Sequence, residues 1–234
     1  MTRIAILGTG NLGTSIANGL VRSERFQADH IVLTRRRPHL LEAMTERGFV
    51  VQADNRDAVR RSGVIIIAVE PQQLDDVLAE IGPDLVPDEH VVISVVTGVS
   101  TKQLAEKIGK PVAVIRAVPN TAIAVRESMT CLASLASDDG AMQMAESIFQ
   151  TVGTTSRISE EEMTAATALG ACGIAFFMRA IRAASQGGIE IGFHSDAALA
   201  IAAQTAKGAA SLLLAAGQHP EQEIDRVTTP RGCT

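Results

Sequence analysis

The chain contains no tryptophan and no tyrosine, and its six phenylalanines bring the aromatic share to only 3% of 234 residues. Platforms for single-stranded nucleic acid stack bases on aromatic rings, so that class of function has little material here. An excess of positive charge is missing as well. The net charge is −5, which offers no broad basic surface to a phosphate backbone. Cysteine is scarce: Cys131, Cys172 and Cys233 are odd in number and far apart. They make neither a disulfide framework nor metal-ligand spacing, and they fit reduced thiols in the cytoplasm. No apolar run is expected to reach the length needed to span a bilayer. The start, Met1-Thr2-Arg3-Ile4, enters a strand at once and leaves no room for a signal peptide. A cytoplasmic protein without nucleic-acid, membrane or metal partners is expected.

What remains is aliphatic. Hydrophobic residues make up 46% of the chain, enough for a sizeable core of Ala, Val, Ile and Leu. Residues 2–8 read as a buried strand, and 11–22 as a helix with Leu12, Ile16, Ala17 and Leu20 on one face. Short apolar strands follow at 30–33, 49–51, 64–69, 91–96 and 112–118, with helices predicted over 38–47 and after Pro71. The run Val64-Ile-Ile-Ile-Ala-Val69 is β-branched throughout, as in a strand covered on both faces. Strands alternating with helices predict an α/β fold with a parallel, Rossmann-type sheet.

The character changes near Ser159, which forms a capping box with Glu162. Helix is predicted from there to about Ile191 and again from Ser195 to Ala216, stopping at Gly217, with a short third helix from His219-Pro220. The expected domains are residues 1–158, a dinucleotide-binding unit, and 159–234, an all-helical unit. The helices are apolar over much of their circumference, which predicts burial against the first domain or, the favoured reading, against a second subunit.

The chemistry-bearing motif is Gly8-Thr9-Gly10-Asn11-Leu12-Gly13, between the first strand and the first helix. Gly8 permits a tight turn, Gly10 lets backbone approach a pyrophosphate, and Gly13 lets helix pack on strand. The helix start then offers free N–H groups to the phosphates. At the end of the second strand, Thr34-Arg35-Arg36-Arg37 carries no acid. Arginine there suits a 2′-phosphate, so Thr34, Arg35 and Arg36 are candidates for binding NADPH in preference to NADH. Ala68, Val69 and Pro71 end the fourth strand, and Pro119 and Asn120 the sixth. Ligands of open parallel sheets lie beyond such strand ends. The five histidines, at 30, 39, 90, 194 and 219, lie in no motif, and Cys172 reads as a small buried thiol without a catalytic partner.

Taken in order, these motifs resemble one family, the pyrroline-5-carboxylate reductases. The resemblance runs through Gly8–Gly13, Ala68-Val69-Glu70-Pro71-Gln72, Ile93–Val99, Val118-Pro119-Asn120-Thr121, Ala168–Gly173, Gln186–Gly192, Gln204-Thr205 and Val227–Thr234. It implies reduction of the C=N bond of 1-pyrroline-5-carboxylate to L-proline, the last step of proline biosynthesis, with NADPH or NADH. It also implies a helical domain that makes a homodimer or higher homo-oligomer. By matching positions, Thr229 is the carboxylate-binding hydroxyl and Gly232 and Cys233 are N–H donors. Thr234 is the hydroxyl near the imine nitrogen, hence the catalytic candidate, and Asn55 lies beside the adenine ribose. The family usually continues into a final helix that this sequence does not include. Glu70 stands where the family commonly has Lys, Ala122 where it has Pro, and Gly170-Ala171-Cys172-Gly173-Ile174 where it has Ser-Gly-Ser-Gly-Pro. Arg231 replaces a glycine, which bears on substrate choice. Two other readings use the same plan: an NADP-dependent reductase of a small oxo or hydroxy acid, and a non-catalytic dinucleotide-binding protein.

Overall fold

The computed structural model describes residues 2–135 and 139–229. In chain order the main elements are β1 (Ile4–Leu7), α1 (Asn11–Arg22), β2 (Ile31–Thr34), α2 (Glu42–Thr45), β3 (Val50–Gln52), α3 (Asn55–Arg60), β4 (Val64–Ile67), α4 (Leu74–Ile81), β5 (Val91–Ser94), α5 (Thr101–Ile108), β6 (Ala113–Val118), β7 (Ser128–Ser134), α6 (Asp139–Phe149), β8 (Gly153–Arg157), α7 (Met163–Ala166), α8 (Gly173–Glu190), α9 (Ser195–Ala216) and α10 (Pro220–Val227). A π-helical turn, Thr167–Cys172, joins α7 to α8. The chain divides into two compact units, residues 1–174 and 175–234.

The first unit is a single eight-stranded sheet in the order β3-β2-β1-β4-β5-β6-β7-β8. Strands β1 to β6 are parallel, as the β-branched runs predict. Alternate residues feed two cores. Ile4, Ile6, Ile66 and Ile115 face α1 and α6, where Ile16, Leu20 and Phe149 are buried. Ala5, Leu7, Ile65 and Ile67 face α3, α4 and α5, where Val59, Leu78 and Leu104 are buried. Each central strand is therefore covered on both sides, which is why its sequence does not alternate.

Several elements depart from the sequence reading. β7 runs antiparallel to β6, and β8 lies parallel to β7. These strands were hidden because their residues are mixed: Ser128-Met-Thr-Cys-Leu-Ala-Ser134 and Gly153-Thr-Thr-Ser-Arg157 lack long apolar runs. The predicted helix over 38–47 is a 3-10 turn, Pro38–Leu41, followed by one turn of α2. Asn55–Arg60, between β3 and β4, is a true helix begun by Asp54, whose Oδ1 accepts the N–H of Asp57 at 3.0 Å.

The entry to the helical run is anchored electrostatically. Ser159 and Glu162 form the expected capping box, and the Ser159 N–H held by Glu162 keeps that carboxyl below its ordinary value. Its neighbour Glu160 accepts from Arg116 Nη1 at 2.7 Å and from Thr101 Oγ1 at 3.0 Å. Arg116, in the middle of β6, is buried, and its Nε has no partner.

The second unit has almost no core of its own. Among its described residues only Ser185 and Ala198 are buried. Phe176, Phe177 and Leu214 stand 65%, 68% and 86% exposed. Two helical runs, Glu160–Glu190 and Ser195–Ala216, are long and apolar enough to cross a membrane by length and composition. This corrects the sequence reading. Arg179, Arg182 and Lys207 interrupt the apolar runs without making the helices polar on average. Cys172 is exposed rather than buried, because the helix run that carries it is uncovered along most of its length.

Removing the carboxylate at 160 strands a buried guanidinium. Glu160→Ala is expected to cost about 1–3 kcal/mol in urea denaturation, and Glu160→Gln, which keeps an acceptor, distinctly less.

Candidate functional site

Strand β1 ends at Gly8, whose φ of +85° is open to glycine and strained for other residues. Space is short as well as conformation. A Cβ at Gly8 would overlap Val69 Cγ1 and lie 2.9 Å from the carbonyl oxygen of Ala68, just past the end of β4. Thr9 latches the turn to the neighbouring strand: its N–H donates to Thr34 O at 2.9 Å and its buried hydroxyl donates to Ile6 O at 3.2 Å. Gly13 packs α1 onto the turn, where a Cβ would sit 3.2 Å from both Gly8 O and Ile6 Cγ2.

Gly10 differs. A Cβ there would meet nothing within 4 Å. It is the N-cap of α1, with no side-chain capping bond and no acid in the first turn. Its backbone therefore faces open space with the first N–H groups of the helix uncapped by any side chain. This is the arrangement an incoming phosphate requires.

The turn opens onto a cleft of about 610 Å³. Of the sequence candidates, Gly8, Gly10, Thr34, Arg35, Arg36, Asn55, Ala68 and Val69 line it, joined by Arg37. Leu40, Gln73, Asp76 and Glu80 also line it and escaped the sequence reading. They sit on short helical segments without a motif, so only the fold brings them together. Thr34 is buried and donates from Oγ1 to Asn55 Oδ1 at 2.6 Å. Asn55 in turn donates from Nδ2 to Glu80 Oε2 at 2.8 Å.

The arginines of α3 and those at the end of β2 are engaged differently. Arg56 and Arg60 reach Asp84, Arg56 at 2.5 Å. That hydrogen-bonded guanidinium holds the Asp84 carboxyl below its ordinary value and is itself raised. Arg35, Arg36 and Arg37 have no acidic partner within ion-pair distance among the described residues. Their charge is left for something else.

The remaining candidates do not line this cleft. Asn11 and Leu12 belong to the first turn of α1, and Pro71 opens a 3-10 turn ahead of α4. Pro119 is buried beyond the end of β6. Asn120 caps the turn Thr121–Val125, accepting from Ala122 N at 3.0 Å and donating to Gly170 O at 3.2 Å, which ties it to the π-helical turn. Thr229 is exposed just past α10. Gly232, Cys233 and Thr234 lie outside the described residues.

Comparisons with known proteins bear on the whole chain. Residues 160–234 match the family described as pyrroline-5-carboxylate reductase dimerisation, and residues 3–98 that described as NADP oxidoreductase, coenzyme F420-dependent. Pyrroline-5-carboxylate reductase 1 of Dictyostelium discoideum is 50% identical over 99% of this chain, which spans 44% of that longer protein. Pyrroline-5-carboxylate reductase 2 of the same organism is 45% identical, with 99% of this chain and 82% of the relative covered. A solved pyrroline-5-carboxylate reductase from Coxiella burnetii superposes with a TM-score of 0.92 at 29% identity, covering 99% of this chain and 87% of that one. One from Plasmodium falciparum, with NADP bound, gives 0.88 at 22% identity over 99% and 86%.

The two glycines of the turn should separate in the laboratory. Gly8→Ala is expected to lose about 1–3 kcal/mol in chemical denaturation, from strain and overlap together. Gly10→Ala should stay within about 0.5 kcal/mol of the parent, because its new methyl meets only open space.

Proposed function

The chain belongs to the pyrroline-5-carboxylate reductase family, and on that premise we propose that it reduces 1-pyrroline-5-carboxylate to L-proline with NADPH in preference to NADH. The observation that carries the reaction is the 45% identity to a pyrroline-5-carboxylate reductase along 82% of that relative's length. The cofactor reading stands on this chain's own residues. The open backbone over Gly10 and the α1 N-terminus suit a pyrophosphate. Unpaired Arg35 and Arg36 at the end of β2 suit a 2′-phosphate, which guanidinium groups bind with paired hydrogen bonds. Leu40 offers an apolar wall to an adenine.

A bound nicotinamide supplies the hydride. The protein's own tasks are to hold the imine in near-attack geometry and keep its nitrogen protonated, which a cyclic imine favours without a strong acid. We assign the substrate carboxylate to the Thr229 hydroxyl and the N–H groups of Gly232 and Cys233. The Thr234 hydroxyl is assigned to the imine nitrogen. Asn11, Leu12, Gly13, Ala68, Val69, Pro71, Pro119 and Asn120 belong to the proposed cofactor shell, Asn120 acting through the π-helical turn it holds. The dimerisation family matched by residues 160–234 supports a homo-oligomer. A cytoplasmic location is part of this reading and rests on the unpaired thiols of Cys131 and Cys172.

Following NADPH absorbance with pyrroline-5-carboxylate tests the reaction, and absence of turnover by the full-length protein refutes it. In the Arg35→Ala, Arg36→Ala double variant, the KM for NADPH should rise about tenfold or more while that for NADH holds. Light scattering should return at least twice the chain mass.

A further inference from the structure

We propose that Glu80 is a positioning and specificity-determining residue of the dinucleotide cleft, fixing the Asn55 amide and tempering the preference for a 2′-phosphate. The inference rests on the reading that the adenosine end of the dinucleotide lies at the end of β2.

The argument begins with hydrogen-bond roles. Asn55 can point its amide either way, and the two ways present opposite chemistry to a ligand. Thr34 cannot choose between them, because a hydroxyl donates as readily as it accepts. Glu80 can. An ionised carboxylate only accepts, so its contact with Asn55, 2.8 Å away, holds Nδ2 on the Glu80 side. The Asn55 oxygen is then committed to the Thr34 hydroxyl at 2.6 Å. What remains on Asn55 is one N–H and one lone pair of Oδ1, their directions fixed by the amide's orientation, at the strand end where a ribose is read.

Charge is the second part. Dinucleotide sites that select a free 2′-hydroxyl place an acid at the end of the second strand. This chain has arginines there and no acid. Yet Glu80 brings a carboxylate to the same cleft from a different element, α4, and sits one hydrogen-bonded residue from Thr34. Asp76, one turn earlier on α4, lines the cleft as well. The cleft that Arg35 and Arg36 line thus carries acids as well. A carboxylate so placed repels the extra charge of a 2′-phosphate while leaving a 2′-hydroxyl unopposed. Because Glu80 is exposed, salt should screen the effect.

The two roles can be read separately by calorimetric titration of the full-length protein with adenosine 2′,5′-bisphosphate and with 5′-AMP. Glu80→Gln removes the charge, so the bisphosphate-to-AMP affinity ratio should rise roughly three- to fivefold at low salt, with a smaller gain at high salt. Glu80→Asp keeps the charge but falls short of Asn55. It should leave the ratio within about twofold and weaken both ligands about threefold or more, the usual cost of one lost hydrogen bond. An unchanged ratio in Glu80→Gln overturns the charge role. Unchanged affinities in Glu80→Asp overturn the positioning role. The Arg35→Ala, Arg36→Ala variant is the control: a lowered ratio there, with both Glu80 variants silent, leaves the cofactor reading standing and removes only this proposal. An unchanged ratio in the arginine variant removes the reading and the proposal together.

Discussion

The first unit depends on a missing methyl group. At Gly8 the chain leaves β1 with positive φ and passes so close to Ala68 and Val69 that no side chain fits between them. β1 and β4 are adjacent in the sheet although far apart in sequence. A bulkier turn would push the start of α1 away from the strand ends. With glycine there, Thr9 reaches the backbone of β2 and Gly13 brings α1 onto Ile6. Packing of the α1 core residues Ile16, Ala17 and Leu20 follows from that entry point. Fold and candidate site are therefore one problem at this turn: the contact that closes the sheet's centre also leaves Gly10 bare.

The sheet order adds the second condition. From β1 the chain winds outward through β2 and β3, then crosses back to β4 and continues the other way. Loops following β1 and β4 diverge at that reversal, and a crevice opens beyond their carboxyl ends. The polar side chains in it come from elements that the reversal gathers: Thr34 from β2, Asn55 from α3 and Glu80 from α4. None is a neighbour in sequence. Their chain of two hydrogen bonds stiffens a wall of the cleft that consists otherwise of strand ends and helix starts, and it does so beside guanidinium groups with no acid of their own.

What could be read from the sequence follows the same division. Buried parallel strands were legible, since two-sided burial writes a continuous β-branched run such as residues 64–67. The glycine turn and the arginines at 35 and 36 were legible because each is a local pattern with a local physical cause. β7 and β8 were not. They lie at one side of the sheet: β8 is largely exposed, and β7 buries polar and small residues, Ser128, Thr130 and Ala133, beside Leu132, so neither writes an apolar pattern. Glu80 was not legible either: on an amphipathic helix an exposed glutamate is what solvent demands, and only tertiary contact gives it a partner. The short helical segments at 38–45 show a milder limit, where the residue pattern gives helix but the length of regular α-helix is set by how little chain separates β2 from β3.

The helical region obeys a different constraint, already present in the composition. A chain without Trp or Tyr builds thin helices from Ala, Gly and Leu, which pack closely but bury little area per residue. α8 and α9 spend that economy on several faces at once, leaving Phe176, Phe177 and Leu214 in the open on the single chain. Apolar area on this scale is stable in water only when another surface covers it. Arg179, Arg182 and Lys207, spaced along the same helices, are costly in lipid but tolerable at an interface where long cationic side chains can lead their charge to water. The match to a dimerisation family over residues 160–234 points to a second copy of the chain as that surface.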